Sequence, residues 1–84
     1  MSYCMITFRS VTPAQKGEAV LRRAGFTCSI RRTPRGLEEQ GCGYSLQVRR
    51  ADAARAVQLL QAADVHYRKV YLHRENGALE ELYL

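Results

Sequence analysis

The sequence contains no apolar run of about 18 residues, which a membrane-spanning helix would need. Its first ten residues also lack the basic and then apolar pattern of a secretory signal. We therefore expect a cytoplasmic protein with no membrane partner. The three cysteines include no CxxC pair and no Cys/His cluster at zinc spacing, so the sequence predicts neither a metal site nor a cofactor. Their odd number also argues against a disulfide framework.

Acidic residues are few, and most of the basic charge is carried by arginine. Thirteen Lys and Arg side chains outnumber eight Asp and Glu, which gives a net charge of +5. Residues 1–74 hold all the basic side chains, whereas residues 75–84 hold three Glu and no basic residue. A basic body of this kind attracts anions, such as nucleic acid, phosphate or the acidic surface of a partner protein.

The hydrophobic pattern predicts strands and helices in the order strand–helix–strand–strand–helix–strand. The predicted strands cover residues 3–8, 26–31, 44–49 and 67–73, and the predicted helices cover residues 12–25 and 51–63. This order is typical of an α+β, ferredoxin-like two-layer domain, with two helices on one face of an antiparallel sheet. We assign that domain to residues 1–74 and an acidic, apolar C-terminal tail to residues 75–84.

The two ends of the first helix are predicted from residues that favour helix ends. Thr12 can cap the helix, Pro13 fits its first turn and Gln15 completes a capping box. Gly25 is predicted to end the helix in the left-handed conformation.

The strand alternation predicts one sheet face that the helices leave open. The residues predicted on it are Tyr3, Met5, Thr7, Ser29, Arg31, Gln47, Arg49, Lys69, Tyr71 and His73. Tyrosines among cations can stack bases and hold phosphates, so the alternative function is a regulatory or RNA-binding module. The aromatic-rich signature of that RNA-binding module is absent, which disfavours nucleic acid. Leu79, Leu82 and Leu84 could cover this face within one chain or pair two chains as a homodimer.

The most informative segment for chemistry is the loop between the second and third predicted strands. Its sequence Gly41-Cys42-Gly43 sets a cysteine between two residues without side chains, which lets another molecule approach the sulfur closely. Nearby guanidinium groups lower the pKa of a thiol and populate the nucleophilic thiolate. The arginines near the start of the loop are Arg31, Arg32 and Arg35. Cys42 is therefore the predicted reactive thiol, the alternative being that the glycines only serve a turn.

The other cysteines and the histidines have simpler interpretations. Cys4 and Cys28 fall on inward strand positions, where free cysteine packs as a small hydrophobe, and we predict that both are inert. A catalytic Cys–His dyad would require His66 or His73 within hydrogen-bond reach of Cys42. The sequence alone does not place these side chains relative to one another.

The loop resembles that of the Se/S carrier-like family of small bacterial and archaeal proteins. The residues that carry the resemblance are Arg32-Thr33-Pro34-Arg35-Gly36-Leu37, then Gly41-Cys42-Gly43 and a strand. The family pattern is a threonine-proline-arginine loop followed by a cysteine-glycine pair. The strand residues Met5-Ile6-Thr7-Phe8 and Val70-Tyr71 fit as well, so the resemblance covers about residues 3–73.

The resemblance implies a carrier of sulfur or selenium rather than an enzyme. Cys42 would hold the atom as a persulfide or perselenide, with Gly43 as its close-approach neighbour, while Pro34 and Arg35 would shape and charge the loop. Two partners are implied. One is a donor of the cysteine desulfurase or selenocysteine lyase type, and the other is an acceptor enzyme.

Overall fold

The computed structural model describes residues 2–32 and 43–83, which form an α+β fold of one antiparallel sheet and two helices. The elements are β1 (Tyr3–Phe8), α1 (Val11–Arg23), β2 (Ser29–Arg32), β3 (Tyr44–Arg49), α2 (Ala53–Ala62), β4 (Val70–His73) and β5 (Leu79–Leu82). Across the five-stranded sheet the order is β2-β3-β1-β4-β5. The predicted α+β class is confirmed, and the sheet has one strand more than the four predicted.

The central strand β1 supplies the middle of the hydrophobic core. Its inward side chains Ile6 and Phe8 are fully buried under the two helices. At Gly17 of α1, an added Cβ would lie 3.0 Å from Leu46 Cδ1 of β3 and 3.2 Å from Leu60 Cδ2 of α2. Both helices therefore pack on the same sheet face, which we call the inner face, and a glycine permits their close approach.

The prediction is wrong for the start of α1 and correct for its end. The helix begins at Val11, and its N-cap Ser10 makes no side-chain capping hydrogen bond, so the predicted Thr12 cap is wrong. At the other end, Gly25 has a φ of 89°, which confirms the predicted left-handed residue. The Phe26 N–H donates to the Leu21 carbonyl at 3.0 Å, as in a Schellman motif. Because Phe26 belongs to this helix end, β2 begins at Ser29 rather than at Phe26.

The fourth strand begins later than predicted because of a β-bulge. The Arg68 N–H donates to the Thr7 carbonyl at 2.7 Å, and the Thr7 N–H donates to the Lys69 carbonyl at 2.8 Å. Two residues thus face one residue of β1, which is the defining feature of a bulge. The Thr7 hydroxyl forms two more hydrogen bonds at the bulge, because Oγ1 accepts from the Lys69 N–H at 3.0 Å and donates to the Lys69 carbonyl at 3.2 Å.

The second helix also begins later than predicted. A 3₁₀ turn, Arg50–Asp52, occupies the positions just after β3, and α2 starts at Ala53. The short turn lets the chain leave the sheet plane before the α-helical hydrogen bonds begin.

The C-terminal residues form a strand in the plane of the sheet instead of a cover over one of its faces. β5 pairs with β4, with Leu82 beside Val70 and Leu79 beside His73. Leu82 packs against the core from the inner face, whereas Leu79 lies on the opposite face with 40% of its surface exposed. Leu84, which the sequence also assigns to this cover, lies outside the described residues.

The sheet face opposite the helices, which we call the outer face, is less open than predicted. Thr7, Met5 and Tyr71 are only 2%, 6% and 8% exposed, although the sequence assigns all three to an open face. The physical reason is the strand order. β1 lies between β3 and β4, and β5 makes β4 an interior strand as well, so the outward side chains of both strands have neighbours on both sides.

Candidate functional site

The structure describes only part of the site that the sequence predicts. Cys42, Pro34, Arg35 and Gly41 lie outside the described residues. The predicted site residues that it does describe are Arg31, Arg32 and Gly43.

Arg32 and Gly43, which flank the segment 33–42, both lie at one end of the sheet, which we call the loop end. Arg32, the last residue of β2, is paired with Tyr44, the first residue of β3. The Ser45 hydroxyl donates to the Arg31 carbonyl at 3.4 Å and ties the two strands together at this point. Paired residues of antiparallel strands have Cα atoms about 5 Å apart, so Arg32 lies close to Gly43 and Tyr44.

The described surroundings of the loop end are cationic. Arg31 and Arg32 are exposed, and among the described residues neither forms an ion pair. Phe8 is paired with Tyr44, so α1, which starts three residues after Phe8, also begins at this end of the sheet. The N-terminus of a helix carries a partial positive charge, and this one has no acidic residue in its first turn.

The two described cysteines are unsuited to nucleophilic chemistry. Cys4 is 0% and Cys28 is 6% exposed, and neither forms a disulfide. Burial raises the pKa of the Cys4 thiol, against a smaller opposing effect of Arg50. Burial and then the Glu18 carboxylate raise the pKa of Cys28, while Arg22 acts in the opposite direction. These findings agree with the predicted inert packing of both side chains.

The structure places the two histidines at different ends of the sheet. His73 stacks on Tyr3 with ring centroids 4.7 Å apart, and Tyr3 is five residues from Phe8 along β1. This places His73 about 17 Å along the strand direction from the loop end. His66 is exposed and lies 3.5 Å from the Asp64 carboxylate, measured from Nε2 to Oδ1. His73 is therefore far from Arg32 and Gly43, which flank the segment with Cys42, whereas the His66–Asp64 contact joins two side chains that are about 90% exposed.

Two of the rings on which the RNA-binding alternative depends are not free on the outer face. Tyr71 is buried, and Tyr3 already stacks on His73, so the two predicted platforms for bases are not free rings. Lys69 lies 3.6 Å from the Glu81 carboxylate. The buried tyrosine removes a stacking position, and the acidic strand β5 lowers the positive charge of this region.

Comparison with models of known protein families identifies a match. The family model described as "Putative Se/S carrier protein-like" matches residues 3–72 of the 84. The chain belongs to this family. No match was found among curated proteins or among solved structures.

The Se/S carrier-like region and the described fold have nearly the same extent. The match begins at Tyr3, the first residue of β1, and ends at Leu72 in β4. It therefore includes both helices and the segment 33–42, and it leaves β5 and its two glutamates outside. No helix among the described residues has the length and apolar character to span a membrane.

Sequence reasoning missed Ser45 at the loop end. This side chain is 0% exposed and lies on the outer face beside Thr7. Its hydroxyl donates to the carbonyl of Arg31, the residue before the end of β2. The available signal was its position two residues before Gln47, which places both on one face of β3. The hydrogen bonds of Thr7 to Lys69 depend on the bulge, and no residue pattern in the sequence marks that bulge.

Proposed function

We propose that this chain carries sulfur or selenium on Cys42, as a persulfide or perselenide, and delivers the atom to a partner enzyme. The observation that carries the proposal is the family match, whose residues 3–72 include Cys42 within Gly-Cys-Gly. A carrier of this kind needs an accessible thiol and a partner at each step, and an 84-residue chain can supply the thiol.

The state of the other two thiols supports Cys42 as the carrying residue. Cys4 and Cys28 lie in the hydrophobic core, and burial raises the pKa of both. At neutral pH they are protonated thiols, which are poor nucleophiles compared with thiolates. Of the three cysteines in the sequence, this leaves Cys42 for the transfer chemistry.

The charges at the loop end also support the proposal. The chain joins Arg32 and Gly43 to the two ends of the segment that contains Cys42. Cations and helix N-termini lower the pKa of a nearby thiol and favour its thiolate. A persulfide is an anion near neutral pH, so the same charges favour the loaded form.

The loading reaction is a transfer between two sulfur atoms. The Cys42 thiolate attacks the terminal sulfur of a cysteine persulfide on the donor enzyme. One S–S bond forms at Cys42, the S–S bond in the donor breaks, and the donor cysteine leaves as a thiolate. A donor of the cysteine desulfurase type supplies sulfur, and one of the selenocysteine lyase type supplies selenium. In delivery, a nucleophile of the acceptor enzyme attacks the outer sulfur or selenium atom, the bond from this atom to Cys42 breaks and the Cys42 thiolate leaves. We place this cycle in the cytoplasm, where thiols are kept reduced.

We also infer that β1 to β4 and the two helices form a ferredoxin-like unit, to which β5 adds an edge strand. The order of elements along the chain, the strand order β2-β3-β1-β4 and the packing of both helices on the inner face support this inference. In this arrangement the segment with Cys42 connects the two strands at one edge of the sheet.

The decisive experiment is intact mass spectrometry after incubation with a cysteine desulfurase and cysteine, and in parallel with selenocysteine and its lyase. We expect the wild-type chain to gain one sulfur or selenium atom that a reductant removes. The Cys42→Ser variant should gain nothing, and the matched Cys28→Ser variant should load like wild type, provided that circular dichroism shows both folded. An adduct that survives Cys42→Ser, or no adduct on any variant, would contradict the proposal.

The contribution of the flanking charge has its own test. The pH dependence of Cys42 alkylation by iodoacetamide gives the pKa of this thiol in each variant. Arg32→Gln should raise that pKa, because it removes a cation adjacent to the segment. Arg55→Gln, which neutralises an exposed arginine on α2, is the control and should leave it unchanged. Equal pH curves of alkylation for wild type and Arg32→Gln would show that Arg32 does not affect the Cys42 thiol.

A further inference from the structure

An open cleft of about 500 Å³ lies on the outer face, where β2, β3 and the start of β1 meet. Its floor is formed by Ser29 and Gln47, which are directly paired between the two strands. Cavities of roughly 300 to 1,000 Å³ are the usual size for small-molecule sites. The described residues that line this cleft come from β1, β2 and β3 and from the segments just before β1 and β2.

Two arginines lie at opposite ends of the cleft floor. Arg31 follows Ser29 by two residues on β2, and Arg49 follows Gln47 by two residues on β3. Because the strands are antiparallel, these steps lead in opposite directions, toward the loop end for Arg31 and away from it for Arg49. The two positions are about 14 Å apart along the strands.

The cleft has an excess of positive charge. Its described lining contains no Asp or Glu, and Arg31 has no ion pair among the described residues. Arg49 donates from Nε to Asp52 Oδ2 at 3.0 Å, which uses one of the five N–H groups of its guanidinium. The side chain of Arg49 is 70% exposed, and its remaining donors are available for a ligand. The floor adds a hydroxyl group and an amide.

We propose that this cleft binds a small molecule that carries two anionic groups, carboxylate or phosphate, one held by Arg31 and the other by Arg49. The planar guanidinium group matches both kinds of anion through paired hydrogen bonds. The separation of the two arginines selects a ligand with charge at both ends over a single small ion. This proposal goes beyond the carrier function, because it shares Arg31 with the predicted Cys42 site but uses no thiol as a reactive group.

A small molecule fits this surface better than a nucleic-acid strand. Beyond the cleft, the outer face continues into Met5 and Tyr71, which are buried, and Lys69 is near Glu81. A single-stranded chain needs cations and free aromatic rings that extend along its backbone. The positive charge here is instead concentrated at the two ends of one floor.

The test is isothermal titration of the Cys42→Ser chain, which keeps the cleft and removes the proposed carrier thiol. Suberate and 1,6-hexanediol bisphosphate, which carry charge at both ends of a chain, are the two probes, so that the result distinguishes carboxylate from phosphate ligands. We expect one of them to bind, and expect Arg31→Ala and Arg49→Ala each to weaken binding about tenfold or more, as the loss of a charged hydrogen-bonding group does. Arg55→Ala should bind as tightly as the parent chain.

Two further measurements test the cleft without altering either arginine: a variant of the floor and a map of amide chemical-shift changes. Ser29→Leu fills the floor and leaves both guanidinium groups in place, and it should abolish binding while circular dichroism shows a folded chain. Amide chemical shifts should change at Ser29 and Gln47 on titration. Failure of both probes to bind, or binding that the arginine and Ser29 variants leave unchanged, would overturn the proposal. Binding of a single-stranded RNA that neither probe displaces would also overturn it.

Discussion

On β1 and β3, the side chains that point toward the helices and those that point away are buried to a similar extent near the loop end. Ile6 and Leu46 are paired on the inner face, and both are 0% exposed. Their neighbours Thr7 and Ser45 are paired on the outer face and are 2% and 0% exposed. The two faces differ in the kind of group that is buried. The inner face buries apolar side chains, whereas the outer face buries hydroxyl groups that form hydrogen bonds.

The outer face changes character along the strands, whereas the inner face does not. Away from the loop end it opens into the cleft over Ser29 and Gln47, while the inner face remains closed at Cys4, which is 0% exposed. Burial without polar groups makes the inner face the source of stability. The outer face, with its cations and its opening, is where a ligand can be bound.

The cysteines of the inner face should be protected from alkylation by the fold itself. Cys4 is 0% exposed and can react only when the domain opens, and a free energy of unfolding of about 5 kcal/mol implies protection of about 10³-fold or more. We expect iodoacetamide at neutral pH to modify Cys4 that much more slowly in the folded chain than in urea, and Cys28, which is 6% exposed and lines the cleft, to be protected less. Peptide mass spectrometry follows both residues. Similar rates in the two conditions would show that the inner face is not closed.

Adjacent residues of β3 should differ sharply in their contribution to stability. Leu46→Ala leaves a cavity between β3 and the helices and should lower the free energy of unfolding by about 2–5 kcal/mol. Gln47→Ala, one residue along on the outer face, should change it by no more than about 0.5 kcal/mol. Urea unfolding followed by circular dichroism measures both. A cost for Gln47→Ala as large as that for Leu46→Ala would refute the assignment of stability to the inner face.

The buried hydroxyl groups of the outer face should contribute unequally. Thr7→Val keeps the shape of the side chain but leaves the Lys69 N–H without its acceptor, which should cost about 1–3 kcal/mol. Ser45→Ala removes one hydrogen bond of 3.4 Å to the Arg31 carbonyl and should cost about 0.5–1.5 kcal/mol. Hydrogen exchange at the Lys69 amide provides a local measurement. Unchanged exchange in Thr7→Val would mean that the hydroxyl does not hold the bulge.

The same division explains what the sequence could predict about the fold. Period-two alternation correctly located β1 and β3, since both are interior strands with a fully apolar inner face. It also assigned Thr7 and Tyr71 to the correct face but gave them the wrong exposure. Exposure depends on which strands lie alongside, and the acidic stretch of β5 has too few apolar residues to predict its pairing with β4.

For the candidate site, the sequence is informative about chemistry and uninformative about distance. The glycines beside Cys42 and the arginines before it are visible in the sequence, and the family match covers the segment that contains them. The pairing of Arg32 with Tyr44 brings together residues twelve positions apart, and only strand register determines it. The cleft between Arg31 and Arg49 depends on that register as well, so the side chains could be assigned to one face but not to one site.

The smallest effect is expected where charges on the outer face are exposed. Glu81 lies 3.6 Å from Lys69, and Glu81→Gln should change the free energy of unfolding by at most about 0.5 kcal/mol, because water screens such pairs. The same substitution should still have a measurable local effect, since the hydrogen bond to the Glu81 carboxylate, followed by its charge, raises the pKa of Tyr83. A carboxylate that accepts from the phenol favours its neutral form, so removing it should lower that pKa. Ultraviolet titration of wild type and Glu81→Gln, each compared with its Tyr83→Phe counterpart, isolates this tyrosine. A large loss of stability in Glu81→Gln would instead make β5, through its outer-face charge, a structural part of the sheet comparable to the inner-face residues.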